Sequence, residues 1–398
     1  MKWETVKLGD VTDSCLGKML DQNKNKGTPQ LYLANVNVRW GSFDLDDLSE
    51  MRFEEHEQER YGLRYGDLVV CEGGEPGRCA IWKDEIPNMK IQKALHRVRV
   101  HDDMDYRYLF YWFLLAGKNG ALDQYFTGAT IKHMPGDKLK TIEIEKPPLS
   151  VQKRIADILS TYDNLIENNQ KQIKLLEEAA QRLYKEWFID LRFPGHESTP
   201  IHDGIPEGWE KTTVEKAAAI LRRGISPSYD ENGDSRVINQ KCIRQTIVDL
   251  GEARKQAKKY PDELNLQDGD TVICSTGDGT LGRVGQVFGE FENTTLDFHV
   301  TLVRSSNDIG AQLLFWTVKS QQAFLQGMGK GSTNQLELSR SVIQELPFTL
   351  PDSKTRIAFE SLAQAIHNKI TTENKQIIAL QAARDRLLPK LMSGEIEV

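Results

Sequence analysis

The chain has 398 residues, 39% of them hydrophobic and 27% charged, which is too long for one core of ordinary size and points to two or more globular domains. Its formal net charge of −7 excludes a protein that coats nucleic acid through bulk positive charge, yet leaves room for local basic patches. No run approaches the roughly 18 apolar residues of a membrane span, MKWETVKLGD has no secretory pattern, and five cysteines without a C-x-x-C pair speak against a disulfide framework or zinc site and for a reducing cytoplasm.

In chain order, Trp3-Glu4 comes first. Gly66-Asp67 then leads into an apolar strand, Leu68-Val69-Val70-Cys71, and a glycine-rich turn ending in Gly77-Arg78. An aromatic amphipathic helix follows around Tyr108 to Trp112, then a loop of small residues, Thr127-Gly128-Ala129-Thr130. Pro147-Pro148 marks a strand exit, and no proline interrupts residues 150–190. As a helix that stretch spans roughly 60 Å. It ends before Phe193-Pro194-Gly195, and a polar linker covers residues 196–208.

The whole series then recurs. Trp209-Glu210 matches Trp3-Glu4, and Gly269-Asp270 precedes Thr271-Val272-Ile273-Cys274. Gly282-Arg283 ends the turn, Gln312 to Trp316 carries the helix, Lys330-Gly331-Ser332-Thr333 the loop, and Pro351 the strand exit. A repeat this long is a duplicated domain, not a solenoid.

Both long helices carry a heptad seam. The first seam is Tyr162, Ile166, Asn169, Ile173, Leu176, Ala180, Leu183 and Trp187; the second is Ile366, Ile370, Glu373, Ile377, Leu380, Arg384, Leu387 and Leu391. Each position maps onto its counterpart with one constant shift. A parallel pairing sets Asn169 against Glu373 and Ala180 against Arg384. An antiparallel pairing sets Asn169 against Arg384 and Ala180 against Glu373. The seam alone does not choose, but two similar units in one chain can pack about a pseudo-two-fold axis, which favours the antiparallel arrangement. The expected fold is α+β, with two similar domains separated by a long antiparallel two-helix coiled coil. The expected boundaries are 1–149 and 209–350 for the domains, 150–193 and 351–398 for the helices, and 194–208 for the linker.

Chemistry-bearing motifs are scarce. There is no G-x-x-x-x-G-K-[ST] phosphate loop. Lys146-Pro147-Pro148-Leu149 lacks the amide or acid and the aromatic of an adenine-methylating motif. Pro351-Asp352 with Glu373-Asn374-Lys375 is a formal nuclease pattern, but Glu373 falls on the seam, where convergence on a divalent ion is disfavoured. Cys71 and Cys274 read as small buried strand residues. His96, His101, His133 and His299 lack ligand spacing, so no metal or catalytic residue is assigned. The candidates for DNA contact lie in the loops. Arg78 and Arg283 sit on tight glycine turns that can approach a phosphate or a guanine edge. Lys330, Ser332, Thr333, Asn334 and Gln335 combine a cation, hydroxyls and amides, and the matching loop offers Thr130, Lys132 and His133. Lys18, Arg39, Arg222 and Arg223 are weaker candidates. The aromatic residues of the two short helices read as core.

Five stretches resemble the specificity subunits of type I restriction–modification systems. Residues 146–160, KPPLSVQKRIADILS, look like the start of the family's central region, followed by IENNQKQI at 166–173 and its counterpart TENKQI at 372–377. Residues 269–284, GDTVICSTGDGTLGRV, are similar to a strand–loop–strand signature of the family's target-recognition domains, and LLPKLMSGE at 387–395 to its usual ending. The second copy departs at Pro351-Asp352-Ser353-Lys354-Thr355-Arg356, where the family more often places Gln before the basic residue. The resemblance implies a non-catalytic, cytoplasmic subunit. Each target-recognition domain would read half of a bipartite site in double-stranded DNA, while the coiled coil sets the unread spacer. It further implies two modification (methyltransferase) subunits as partners and two restriction subunits as optional ones. S-adenosylmethionine, ATP and Mg belong to those partners, and no membrane is involved. Two other readings stay open: a free-standing endonuclease with duplicated recognition domains, and a coiled-coil assembly protein without a DNA role.

Overall fold

Every side chain of the strand after each Gly-Asp step is buried, at Leu68–Cys71 in the first copy and Thr271–Cys274 in the second. The computed structural model that shows this describes residues 3–19, 21, 25–244, 246–328 and 337–398. The chain divides into two compact units, Met1–Glu167 with Ile378–Val398, and Asn168–Ile377.

In the first unit the longer elements are β1 (Glu4–Lys7), β2 (Thr12–Leu16), β3 (Thr28–Leu33), β4 (Ser49–Phe53), β5 (Leu68–Cys71), β6 (Cys79–Ile81), β7 (Lys90–Ile91), β8 (Leu95–Val100), α1 (Tyr106–Lys118) and β9 (Glu143–Lys146), leading into the long helix α2 (Leu149–Tyr184). The second unit repeats the succession as β10 (Glu210–Thr213), β11 (Ala218–Arg223), β12 (Ser235–Ile238), β13 (Arg254–Gln256), β14 (Thr271–Cys274), β15 (Val284–Gln286), β16 (Thr294–Leu296), β17 (Val300–Ser305), α3 (Ala311–Ser320) and β18 (Pro347–Leu350), leading into α4 (Ser353–Met392).

Strand pairing repeats as well. One antiparallel sheet has the order β2-β8-β5-β6 in the first unit and β11-β17-β14-β15 in the second. A smaller mixed sheet runs β4-β3-β7 and β13-β12-β16, with β3/β7 and β12/β16 parallel. The first strand of each copy pairs with the last, β1 with β9 and β10 with β18. No helix among the described residues is long and apolar enough to cross a membrane.

The Gly-Asp step has a structural task in both units. Gly66 and Gly269 turn the chain at φ 87° and 85°, a region that residues with a Cβ rarely adopt. The following carboxylate accepts two bonds from one guanidinium. Arg99 donates from Nε and Nη2 to Asp67 at 2.7 and 2.8 Å, and Arg304 does the same to Asp270 at 2.7 and 2.7 Å. Each carboxylate also accepts the backbone N–H three residues earlier, from Arg64 and from Gln267. The pair therefore staples the start of β5 to β8, and of β14 to β17.

The aromatic helices pack inward. Tyr108, Tyr111 and Phe113 of α1 and Phe315 and Trp316 of α3 are buried in the core clusters of their units. Their N-termini are capped by different residues. Asp105 accepts the Arg107 and Tyr108 N–H groups and is itself held by Gln152, which takes the Asp105 N–H at 2.8 Å. In the second unit Gly310 precedes the helix, and Glu360 of α4 accepts the Gln312 and Leu313 N–H groups at 3.0 and 3.1 Å. This accounts for the departure at residues 351–356: with Glu360 supplying the cap, that segment needs no glutamine.

The long helices run antiparallel inside each unit. In the first, Arg384 of α4 pairs with Asp163 of α2, and Tyr111 donates to the same carboxylate at 2.6 Å. In the second, Asn169 donates to Gln376 at 3.1 Å, and Tyr184 packs on Phe359. None of the seam residues is exposed. The register differs from the one the seams suggest. Asn169 faces Gln376 rather than Arg384, Ala180 shares a cavity wall with Ala363 rather than facing Glu373, and Glu373 pairs with Lys369 on its own helix. The offset is about two turns. It follows from the helix ends, where Phe188 and Tyr184 close on Phe359 at ring separations of 4.8 and 6.2 Å.

Burial pushes the Asp270 carboxyl up even with Arg304 beside it, so an unpaired partner at this place is costly. Asp270→Ala should therefore destabilise the second unit by about 3 kcal/mol, and Asp67→Ala the first by a similar amount. Calorimetric melting of each variant checks this; an unchanged transition in both would remove the staple as a stabilising element.

Candidate nucleic-acid interface

At the end of β5 and β14 away from the staple, the chain leaves the sheet in loops held by a shared set of backbone bonds. In the first unit the Glu72 N–H donates to the Ala94 carbonyl at 2.8 Å and the Met134 N–H to the Glu72 carbonyl at 2.7 Å. In the second, the Ser275 N–H donates to His299 at 2.7 Å and the Leu338 N–H to Ser275 at 2.8 Å. Bridges Gly73–His133 and Thr276–Glu337 close the cluster in each unit. Gly17 and Gly224 let another segment in: a Cβ there would lie 2.4 and 2.0 Å from carbonyl oxygens at Gln92 and Leu296. No side chain fits, so glycine is required at both places.

On this common frame the side chains differ. In the first unit His133 donates from Nδ1 to Glu72 at 3.1 Å. In the second, Thr276 bonds the His299 ring and accepts from Gln240, while Arg223 pairs with Glu337 at 2.6 Å. Burial and the charge of Arg223 hold the His299 imidazole below its usual range. One exposed position carries Lys93 in the first unit and Phe298 in the second.

Arg78 is engaged internally: its guanidinium donates to Glu75 at 2.8 Å and to the Asn35 carbonyl at 2.9 Å. Arg283 is half-buried, and its guanidinium makes no hydrogen bond or ion pair to another described residue; only its backbone bonds Cys274 and Thr280. Thr130 and Lys132 are exposed with Ile131 between them; Lys132 lies 3.6 Å from Asp123 and over the Phe126 ring. His133 joins the cluster through Glu72. Lys330, Ser332, Thr333, Asn334 and Gln335 lie outside the described residues. Of the weaker candidates, Lys18 pairs with Glu57, Arg39 with Asp44, Arg222 with Glu263 and Arg223 with Glu337. Glu72, Thr276, Asn35 and Gln240 were not legible as members of the cluster. The available signal was positional, since Glu72 and Ser275 each directly follow the repeated cysteine.

The formal nuclease pattern does not converge. Asp352 caps α4 through the Lys354 and Thr355 N–H groups and accepts from Trp209. Glu373 sits on the same helix, about 30 Å further along. Among the described residues, Glu54, His56 and Glu57 are the one group of three within ligand reach, and Glu57 already pairs with buried Lys18. All five cysteines are free, and burial pushes the Cys274 thiol up to about 12, far from reactive.

Two copies of one α+β module, each with a loop cluster at the end of its main sheet, define a duplicated recognition protein. A family model described as "Type I restriction modification DNA specificity domain" matches residues 1–178. The chain is 27% identical over 347 residues to the type I restriction enzyme MjaIX specificity subunit of Methanocaldococcus jannaschii, covering 84% of this chain and 78% of that protein. It is 25% identical over 416 residues to the MjaVIII specificity subunit of the same organism, covering 100% and 93%. The crystal structure of a type I restriction–modification S subunit from M. genitalium shares the fold, with a TM-score of 0.56, 16% identity, and coverage of 98% of this chain and 96% of that one. Residues 1–178 thus match the type I restriction–modification specificity domain, and the chain is similar over most of its length to specificity subunits of such systems.

Asp297 offers a test of the common frame. Its Oδ1 accepts the His299 N–H at 2.9 Å, as Gln92 Oε1 accepts the Ala94 N–H at 3.0 Å in the first unit. Burial pushes the Asp297 carboxyl from 3.8 up to about 7. A raised carboxyl favours folding in its protonated form. That stabilisation is complete below about pH 4 and lost as pH rises through about 7. Asp297→Asn should abolish this dependence and make the second unit more stable than wild type at pH 8, by on the order of a few kcal/mol, with less than half of that difference, roughly 2 kcal/mol, present at pH 5. Urea denaturation at both pH values reads the effect; equal wild-type stability at pH 5 and 8 would contradict it.

Proposed function

We propose that this chain is the DNA-reading subunit of a type I restriction–modification assembly, each unit recognising one half of a bipartite site in double-stranded DNA. The observation that carries this reading is the loop cluster: the same backbone bonds recur in both units while the side chains they present differ. Main-chain bonds are indifferent to side-chain identity, so one frame can present two sets of base-contacting groups. Arg283, Thr130, Lys132 and the loop containing Lys330, Ser332, Thr333, Asn334 and Gln335 are the residues we infer to approach DNA. Arg78 is placed to shape its turn first and to touch phosphate second.

The chemistry is assigned to partners. On this reading two modification subunits, carrying S-adenosylmethionine, methylate adenine. Two restriction subunits join in the cleaving form with ATP and Mg. The paired helices α2 and α4 carry the modification subunits and govern how many base pairs stand unread between the half-sites. Such an assembly acts on the chromosome, in the cytoplasm.

Replacing residues 205–350 with the corresponding module of a relative should change one half-site and leave the other intact. Modified-base sequencing of DNA from cells expressing the chimera with its modification subunit gives the answer. A change in both half-sites would defeat the model of independent readers.

A further inference from the structure

The smaller sheets of the two units differ in charge. In the second unit, the edge strand β13 and the segment after it place Arg254, Lys255, Lys258 and Lys259 at the surface, and Arg236 of β12 is exposed beside them. Arg236 stands directly across from Lys255. Like charges at opposed positions of an antiparallel pair destabilise it. No ion pair among the described residues relieves them, although Asp230, Glu231 and Asp234 lie on the preceding turn. Arg254 lies 3.6 Å above the ring of Tyr229, itself 43% exposed.

A charged edge strand guards against edge-to-edge association. Edge protection accounts for lysine here, but not for the opposed pair nor for the contrast with the first unit. The corresponding strand of the first unit, β4, carries one acid and one base, Glu50 and Arg52, and the segment after it is dominated by acids, Glu54, Glu55 and Glu59, all exposed.

The basic strip also borders the loop cluster. The Lys258 ammonium donates to the Ser226 carbonyl at 2.9 Å. Ser226 adjoins Ile225, whose backbone bridges Asp297 in the cluster. Tyr229 bridges Gln256 at the end of β13.

Resting on the DNA-reading function above, we infer that the β12–β13 face of the second unit is a docking surface for the DNA phosphate backbone, and that the first unit has no equivalent. The phosphates supply the anions that Arg236 and Lys255 lack in the free chain. Contact here adds affinity without sequence preference. The two half-sites are therefore held unequally, with the second unit contributing more of the salt-dependent binding.

The test uses the complete methyltransferase complex, the wild-type site duplex and a scrambled duplex, in a salt titration. The triple variant Arg236→Gln, Lys255→Gln, Lys259→Gln should lower affinity for both duplexes tenfold or more. It should reduce the salt slope by about two to three units, close to one for each phosphate no longer neutralised. The methylated motif should stay the same. Lys255→Arg, which keeps the charge, should retain the wild-type slope, and the triple variant should melt no lower than wild type because an opposed pair is relieved. Glu50→Gln with Glu55→Gln in the first unit should not weaken binding. Unchanged affinity and slope in the triple variant, beside a wild-type complex that discriminates its site, would overturn this inference and leave the DNA-reading function standing. A changed motif would overturn it too, by making the strip a base reader. A wild-type complex that fails to distinguish the duplexes would instead overturn the underlying function.

Discussion

A carboxylate buried against a guanidinium, Asp67 with Arg99 and Asp270 with Arg304, fixes the start of the strand that carries each unit's loops. With β5 and β14 anchored at one end and paired along their length to β8 and β17, the opposite end emerges at a defined place. Glu72 and Ser275 leave the sheet there, and their backbone groups gather the neighbouring loops. A slip of one residue would exchange the side chains packed on the strand's two buried faces. The ion pair therefore matters less for net stability, which desolvation largely offsets, than for register.

Beyond that frame the copies have diverged where divergence costs least. Backbone bonds within the loop clusters survive any change of side chain, and the exchange of Lys93 for Phe298, or of the Glu72–His133 pair for Thr276–His299, leaves them intact. Structural tasks have moved between elements too. The cap of α1 comes from the residue just before it, Asp105, and the cap of α3 comes from Glu360 on α4. Either source satisfies the same orphan N–H groups, so the helix tolerates the substitution of one for the other.

The formal charge of −7 is thus an average over a surface whose sign changes with place. Acids dominate the segment after the small sheet's edge strand in the first unit, and bases dominate the edge strand in the second. For a chain that meets DNA, local potential governs encounter more than the total does.

Duplication, the boundaries of the repeated strands, the aromatic helices and the heptad seams are all legible in the sequence, because each rests on local periodicity or on a motif seen twice. The antiparallel sense of the helices follows from the duplication. Their register does not, because Asn169, Arg384 and Glu373 each have more than one acceptable partner along a seam. The choice is made by aromatic packing of Tyr184 and Phe188 on Phe359, residues far apart in the chain. Arg78 and Arg283 occupy equal places in the sequence, yet the side chain of one is bound to Glu75 and Asn35 while no described residue bonds the side chain of the other. Gly17 and Gly224 look like ordinary turn residues until the carbonyls of Gln92 and Leu296 close over them. Sequence alone determined which segments form each module and that there are two of them, since strand and helix patterning is local. Tertiary structure decided which side chains in the loops are spent on holding the fold and which remain for a ligand, since that depends on partners brought together across long separations in the chain.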